Sequence, residues 1–463
     1  MNRLSLAQVA GATVDPQRRV ALHHGRPVCH ADFVADIKKM LACLQAEPRR
    51  QRWGLFCEDA YPFAVALLAL LHSGRQIVLP GNLTASTRQR LAGHIDGLIS
   101  DTGTDDIALN ALADWPAAAV PLPVLDPAQS RITIFTSGST GEAKAIVKQL
   151  AQLEAELNSL EAGWGAQIGD AAVIATVSHQ HIYGLLFRVL WPLAAGRCFY
   201  SEQVLDNGLV FHHAEASTGP LVWVASPAHL KRLYDGLAWP SVADTLRCVF
   251  SSGGPLPAEA AAHVADWLGE APVEVFGSSE TGGIAFRQQQ QGNTLWQPLA
   301  GVAVRAGEDG RLQVRSPHVN RDDSWYQADD AVRITADGRF ELLGRLDRIV
   351  KLEEKRLSLV EMEQAIIATG LAAEVFCWVR PTEQGRLRQT LTATLVASPA
   401  GQALLDSSGR SAVTKLLKSA LAERFELSLI PRKWRFVPQL PVNAQSKIDI
   451  PAIEALMNDD TTA

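Results

Sequence analysis

Cysteine is scarce in this chain of 463 residues, and none of it is paired at metal-binding spacing. Cys29, Cys43, Cys57, Cys198, Cys248 and Cys377 are scattered, with no C-x-x-C among them. That argues against a disulfide framework or a zinc site and for reduced thiols in a cytoplasm. Long apolar runs are also missing. The most apolar stretch, 63–71, is too short to span a bilayer and runs into His72 and Gly74, so it reads as a buried helix and no stable membrane insertion is expected. The first residues, MNRLSLAQ, lack the apolar core of a signal peptide, so the expected location is cytoplasmic. Positive charge is not in excess: a net charge of −6 offers no general attraction to nucleic acid or anionic lipid. There are no repeats, no low-complexity tract and no G-x-x-x-x-G-K-S/T loop, which excludes the helix-anchored P-loop NTPases.

With 47% apolar and 20% charged residues, the composition is that of an ordinary globular protein long enough for two or three domains. Apolar spacing predicts helices over 31–46 and 63–72 and short strands at 53–57, 76–80 and 98–101. Further buried strands are predicted at 172–176, 221–225, 248–251 and 273–276, each with Ser, Gly or Pro at or beyond its end. This rhythm is that of an α/β fold with a mostly parallel sheet, in which ligands sit beyond the carboxyl ends of the strands. From about Gly301 the pattern turns to hairpins over 302–315 and 331–344, with turns at 308–310 and 336–338. A helix near 359–369, strands at 375–379 and 390–396 and a helix near 413–425 then suggest a separate α+β unit.

Five segments carry the chemistry. The first, Ile132 to Lys144 (ITIFTSGSTGEAK), ends an apolar β-branched run in hydroxyls, glycines and a lysine, which suits a loop that holds polyphosphate. The second, Phe276 to Gly283 (FGSSETGG), presents the lone carboxylate of Glu280 among hydroxyls; beside a triphosphate it is a candidate Mg²⁺ ligand, and otherwise a first-turn glutamate at a helix start. In the third, Asp330 follows Trp325 and Tyr326, and Arg345 lies a hairpin later; such a pair can bind ribose hydroxyls or form a surface ion pair. The fourth, Ser252 to Leu256 (SGGPL), lets a planar ring approach the backbone. The fifth, Pro441 to Ile448 (PVNAQSKI), carries Lys447 in a polar turn, where a solvated surface lysine is the plain alternative.

In this order the segments resemble the adenylate-forming superfamily: acyl-CoA synthetases, adenylation domains of peptide synthetases and luciferases. The resemblance runs from about Val20 to the end of the chain. It implies a large N-terminal domain of stacked, mostly parallel sheets with helices (1–345), carrying the ATP and acyl site, and a small mobile α+β domain (346–463) carrying the catalytic lysine. It also implies ATP-dependent activation of a carboxylic acid to an acyl-adenylate, then transfer to the thiol of CoA or of an acyl carrier protein's phosphopantetheine. Thr136, Ser137, Gly138, Ser139, Thr140, Gly141 and Lys144 match the loop at the β- and γ-phosphates, and Gly253, Gly254 and Pro255 the adenine-side turn. Phe276 and Gly277 match the pair flanking adenine and the acyl site, Glu280 the Mg²⁺ ligand, and Thr281 the residue at the α-phosphate. Asp330 and Arg345 match the ribose pair, Asp347 the hinge and Lys447 the lysine of the adenylation step. His181, Tyr183, Gly184 and Gly282 match the acyl-pocket wall. A metal site at His179, His181, His212 and His213 is a weaker reading, since no Cys or carboxylate stands at ligand spacing.

Some positions depart from the pattern. The usual T-G-D reads Ala328, Asp329, Asp330. Glu354 stands where a glycine makes room for the pantetheine arm, and Gln445 and Ser446 precede Lys447. The turn 178–183 carries no acid to hold an α-ammonium, so an aryl or fatty acid is expected rather than a free amino acid. Lys415, Lys418, Arg424, Arg432, Lys433 and Arg435 suit an acidic carrier protein or CoA phosphates, or simply a solvated face. A non-catalytic, nucleotide-sensing member of the same fold is the alternative. Replacing Lys447 by Ala is expected to cut adenylation by about 10²- to 10³-fold and to spare thioester formation from preformed acyl-adenylate; equal loss in the two half reactions would remove that role.

Overall fold

The computed structural model describes residues 3–458, apart from 12, 104, 138–142, 234–235, 290–293, 320–323, 346–347, 353–354, 381–389 and 444–447. Two large sheets share one core. The first has nine strands, in the order Gln297–Pro298, Gly282–Arg287, Val273–Ser278, Leu246–Ser251, Leu221–Ala225, Ala172–Ala175, Phe199–Tyr200, Arg19–His23 and Arg26–Cys29. From Val273–Ser278 to Arg19–His23 every pairing is parallel. The second has six strands, Ile107–Ala108, Gly97–Ser100, Arg52–Phe56, Gln76–Leu79, Arg131–Ser137 and Ala143–Gln149, parallel except for the last pair.

A sheet buried on both faces needs continuous apolar strands, and the strand Leu221–Ala225 has them. Val222 and Val224 enter the core shared with the second sheet, whereas Leu221, Trp223 and Ala225 enter a core on the opposite face, under the helices Asn207–Ala216 and Ala258–Leu268. The segment expected as a buried helix is one: all thirteen residues of Ala60–His72 are buried, so its uniform apolarity reflects enclosure on every side. Among the described residues no helix is long and apolar enough to cross a membrane, and the cysteines are free.

The two expected hairpins form a four-stranded antiparallel sheet, Ala303–Ala306, Arg311–Arg315, Tyr326–Ile334 and Phe340–Arg345. Beyond it a three-stranded sheet, Ala372–Arg380, Thr390–Ala397 and Lys433–Phe436, packs with the helices Leu359–Ala368 and Pro399–Ala422 around a core of its own. That last helix starts well before the expected residue 413. The Ser398 side chain caps it by accepting from the Gly401 amide at 3.0 Å, and Gly409 interrupts it at φ 76°. Its first half is polar, which hides the helical period. Two hairpins were not legible as such: Arg19–Cys29, turning through His24 and Gly25 at φ 49° and 72°, and the return strand Ala143–Gln149 after the phosphate segment.

Phe250 is fully buried and meets the rings of Trp164, Phe187 and Trp191 at centroid distances of 5.3, 5.0 and 5.7 Å. Replacing Phe250 by Ala is expected to destabilise the unit holding this cluster by about 3–5 kcal/mol, read as an earlier urea midpoint in tryptophan fluorescence.

Candidate active site

A cavity of about 340 Å³ opens where the parallel strands end. Thr176, Val177 and Ser178 follow the strand Ala172–Ala175, Ser226 follows Leu221–Ala225, and Ser252 and Gly253 follow Leu246–Ser251; all of them line it. Gly277, Ser278, Ser279, Gly282 and Gly283 close one side, and His181, Tyr183 and Gly184 another. Gly184 is required by close approach, since a Cβ there would stand 2.0 Å from the Ser178 carbonyl oxygen. Tyr183 lies against Phe187, 4.8 Å between centroids. His179 turns away from the cavity into the core, 4.4 Å from the Phe63 ring. The fourth segment supplies Gly253, whose φ of 92° leaves open space over the backbone; Gly254 and Pro255 are exposed beside it.

The first and second segments meet. Lys144 stands opposite Thr136 across the hairpin, and its Nζ donates to Glu280 Oε1 at 2.8 Å. Burial pushes the Glu280 carboxyl up, but the hydrogen bond and charge of Lys144 outweigh it and hold the group below its ordinary range. The same bond raises Lys144. Glu280 therefore stays a carboxylate at neutral pH, half-buried in a polar turn, and this donor chemistry fits Mg²⁺ with Lys144 left to meet phosphate. Thr281 is buried, and its hydroxyl takes part within the turn, accepting from the Ser278 amide at 3.0 Å and donating to the Gly282 carbonyl at 2.9 Å. Phe276 lies on the other face of its strand, among Trp296 and Phe340. Only Gly277 of that pair lines the cavity. Asp330 and Arg345 are register partners, and the neighbouring Asp329 lies 4.0 Å from Arg345 and 2.7 Å from Arg311.

Gly138, Ser139, Thr140, Gly141, Asp347, Glu354 and Lys447 lie outside the described residues, as do the side chains of Thr136 and Ser137. Among the described residues the group of three metal-ligating side chains is His23, His24 and Asp59 rather than His179, His181, His212 and His213.

Two residues escaped the sequence reading. Lys148, 2% exposed, donates from Nζ to the Glu280 carbonyl at 2.5 Å and to the His318 carbonyl at 2.9 Å. Its strand neighbours alternate, so Lys148 shares a face with buried Ile146, and that period was the available signal. Burial lowers its pKa, partly offset by Glu156 and Glu280. Glu156 lies on the apolar stripe of the helix Leu150–Ile168, three residues after Leu153 and four before Leu160, and also lines the cavity.

The family model for the AMP-binding enzyme matches residues 69–319, a span that holds the phosphate hairpin, the cavity and Glu280. This chain belongs to that family. Its relatives include the isonitrile lipopeptide synthase of Mycobacterium tuberculosis, 26% identical over 99% of this chain. Another is the L-proline–[L-prolyl-carrier protein] ligase of Pseudomonas fluorescens, 24% identical over 79% of this chain. The chain spans 18% of the length of the first and 77% of the second. The fold matches ATP-bound MatB from Rhodopseudomonas palustris with a TM-score of 0.77, at 18% identity over 99% of both chains. It matches the O-succinylbenzoate coenzyme A synthetase of Bacillus subtilis in complex with AMP with a TM-score of 0.78, at 19% identity over 100% of this chain and 98% of that one.

In this AMP-binding enzyme, replacing Lys148 by Met leaves two carbonyls without a donor, at about 1–3 kcal/mol each. The expected result is a lower urea midpoint, because the Glu280 turn loses its tether.

Proposed function

We propose that this protein activates a carboxylic acid with ATP and passes the acyl group to a thiol. The observation that carries this reading is the Lys144–Glu280 pair, set in the turn whose Ser279 and Gly282 line the cavity at the carboxyl ends of the parallel strands. In the first step a carboxylate oxygen of the acid bonds to the α-phosphorus of ATP, and the bond to pyrophosphate breaks. In the second a thiol attacks the acyl carbon, loses its proton, and AMP leaves. The chain's task is to position the reactants and to offset charge. Lys144 and the hairpin amides would face the β- and γ-phosphates, and Gly253, Asp330 and Arg345 the nucleoside. Glu280 would hold Mg²⁺, which offsets phosphate charge when bound. Lys447 would act on the charge that develops during adenylation.

The acyl acceptor is CoA or the phosphopantetheine of a carrier protein. We assign residues 1–345 to the adenylating unit and 346–463 to a unit that turns about Asp347 between the half reactions. Family membership and the likeness to ATP- and AMP-bound structures support this reading. So do the carrier-protein and CoA ligases among the relatives, which include a malonate–CoA ligase of Arabidopsis thaliana. The turn 178–183 carries no acid, yet Glu156 brings one to the cavity from another element, so amino acids belong in the substrate panel.

The test is acid-dependent exchange of pyrophosphate into ATP over aryl, fatty and amino acids. Exchange with at least one acid, with AMP as the nucleotide product, is expected. Bound ATP without exchange for any acid would favour a nucleotide sensor, and ADP as product would overturn the adenylation chemistry.

A further inference from the structure

Two imidazoles and a carboxylate meet at a place that acid activation does not use. The strand Arg19–His23 ends in His23, and His24 helps turn the chain back into the strand Arg26–Cys29. Consecutive strand residues point to opposite faces, but His24 leaves the strand at φ 49°, and the two rings come to a centroid distance of 4.3 Å. Asp59, at the start of the helix Ala60–His72, joins them, with Oδ2 at 3.4 Å from His23 Nδ1. One donor atom from each of the three side chains lies within 4.8 Å of the other two. The side chains of His23, Asp59 and His24 are 29%, 14% and 70% exposed, so all three are open to solvent. Burial pushes the Asp59 carboxyl up, but hydrogen bonds from His23, the Tyr61 amide and the Ser201 hydroxyl outweigh it and hold the group below its ordinary range. Asp59 is therefore a carboxylate at neutral pH.

A spacing of 3.4 Å between His23 Nδ1 and Asp59 Oδ2 is the edge of a tetrahedron whose corners lie about 2.1 Å from its centre, the distance of nitrogen and oxygen ligands from Zn²⁺. The donor set holds no thiolate. Two imidazoles and one carboxylate, with a fourth position for water, suit Zn²⁺, whereas Mg²⁺ and Ca²⁺ take oxygen ligands. The groups behind the three fit as well. Glu202 Oε1 stands 2.9 Å from His24 Nδ1, and Asp59 accepts from the Ser201 hydroxyl at 2.8 Å and the Tyr61 amide at 2.7 Å. Carboxylates on metal-bound imidazoles, and hydrogen bonds to ligating carboxylates, orient ligands in this way. Ser201 Oγ also lies 3.0 Å from His23 Nδ1, a contact that the ion would replace. We propose that His23, His24 and Asp59 form a binding site for Zn²⁺, with Glu202 positioning His24. The exposed His24 ring closes the remaining distance by rotation. The bound ion ties the edge hairpin of the nine-stranded sheet to the helix that follows Arg52–Phe56 of the six-stranded sheet, beside the turn whose Gln203 lines the cavity. It acts as a staple, and its binding free energy adds to folding.

The experiment takes the full chain, stripped of metal by a chelator, and titrates it with Zn²⁺ at neutral pH, reading binding by calorimetry and stability by the thermal midpoint, with Mg²⁺ as the control ion. One Zn²⁺ per chain is expected to bind here. His23→Gln and His24→Asn are each expected to weaken it by at least about 10- to 100-fold, the loss that removal of even an orienting partner brings, and Glu202→Gln by about tenfold. The midpoint is expected to rise with Zn²⁺ in the wild type and to stay put in the two histidine variants. Asparagine tolerates the left-handed turn at position 24, and equal urea midpoints of the metal-free proteins check that the variants fold; if His23→Gln lowers its own, the exposed His24→Asn decides. Zn²⁺ binding that survives unchanged in the variants would put the ion on other groups, such as the free cysteines, and overturn the inference. No uptake by the wild type at micromolar free Zn²⁺ would overturn it too and leave the cluster as a hydrogen-bonded ion pair.

Discussion

A buried ammonium joins the parts of this site. Lys148 comes from the return strand of the phosphate hairpin, and its two acceptors are backbone carbonyls of Glu280 and His318, more than a hundred residues further along the chain. A charged group with almost no exposure must be paired inside the protein, so the hairpin, the Glu280 turn and the segment at His318 cannot separate cheaply. Gln152, just beyond the same strand, also donates to the Val319 carbonyl, extending the tie. With the backbone of Glu280 held by Lys148, its carboxylate is free to face outward to Lys144. One turn is thus gripped on its main chain by one lysine and on its side chain by another, so charge is offset on its outer side while position is fixed behind it.

The sheets supply the other constraint. Parallel strands deliver all their carboxyl ends to one edge, and the residues just past those ends are small and polar, so a cavity forms there without disturbing either core. Apolar residues alternate between the two faces of the central strands and leave nothing but strand ends for chemistry. The acyl wall depends on the same economy of space: Gly184 lets its turn close on Ser178, and Gly282 leaves room for the Glu156 carboxylate. Aromatic rings around Phe250 and Tyr183 then stiffen the apolar side.

Much of this was legible in the chain. The strand Leu221–Ala225 announces itself by uninterrupted apolar residues, its neighbour by the apolar run at 248–250, and the hairpins of the four-stranded sheet by their Asp-Gly turns. Lys144 and Glu280 stand out because glycines and hydroxyls surround them. The start of the helix Pro399–Ala422 was not legible, since its first half has no apolar stripe. Lys148 and Glu156 were passed over because a single charged residue in an apolar pattern reads as solvent-facing until its neighbours are known. Phe276 shows the reverse: its place in a motif points to the ligand, while strand alternation sends its ring to Trp296 and Phe340.

By itself the sequence determined the class of fold, the order of the elements and the type of chemistry, because periodicity, turn residues and short motifs are local properties of the chain. Only the tertiary structure decided which charges became partners. The contacts of Lys144 and Lys148 with Glu280, and of Glu156 with Gly283, span 127 to 136 residues. Whether a carboxylate ends beside an ammonium or beside an amide depends on how strands far apart in sequence are laid side by side, and no local pattern carries that register.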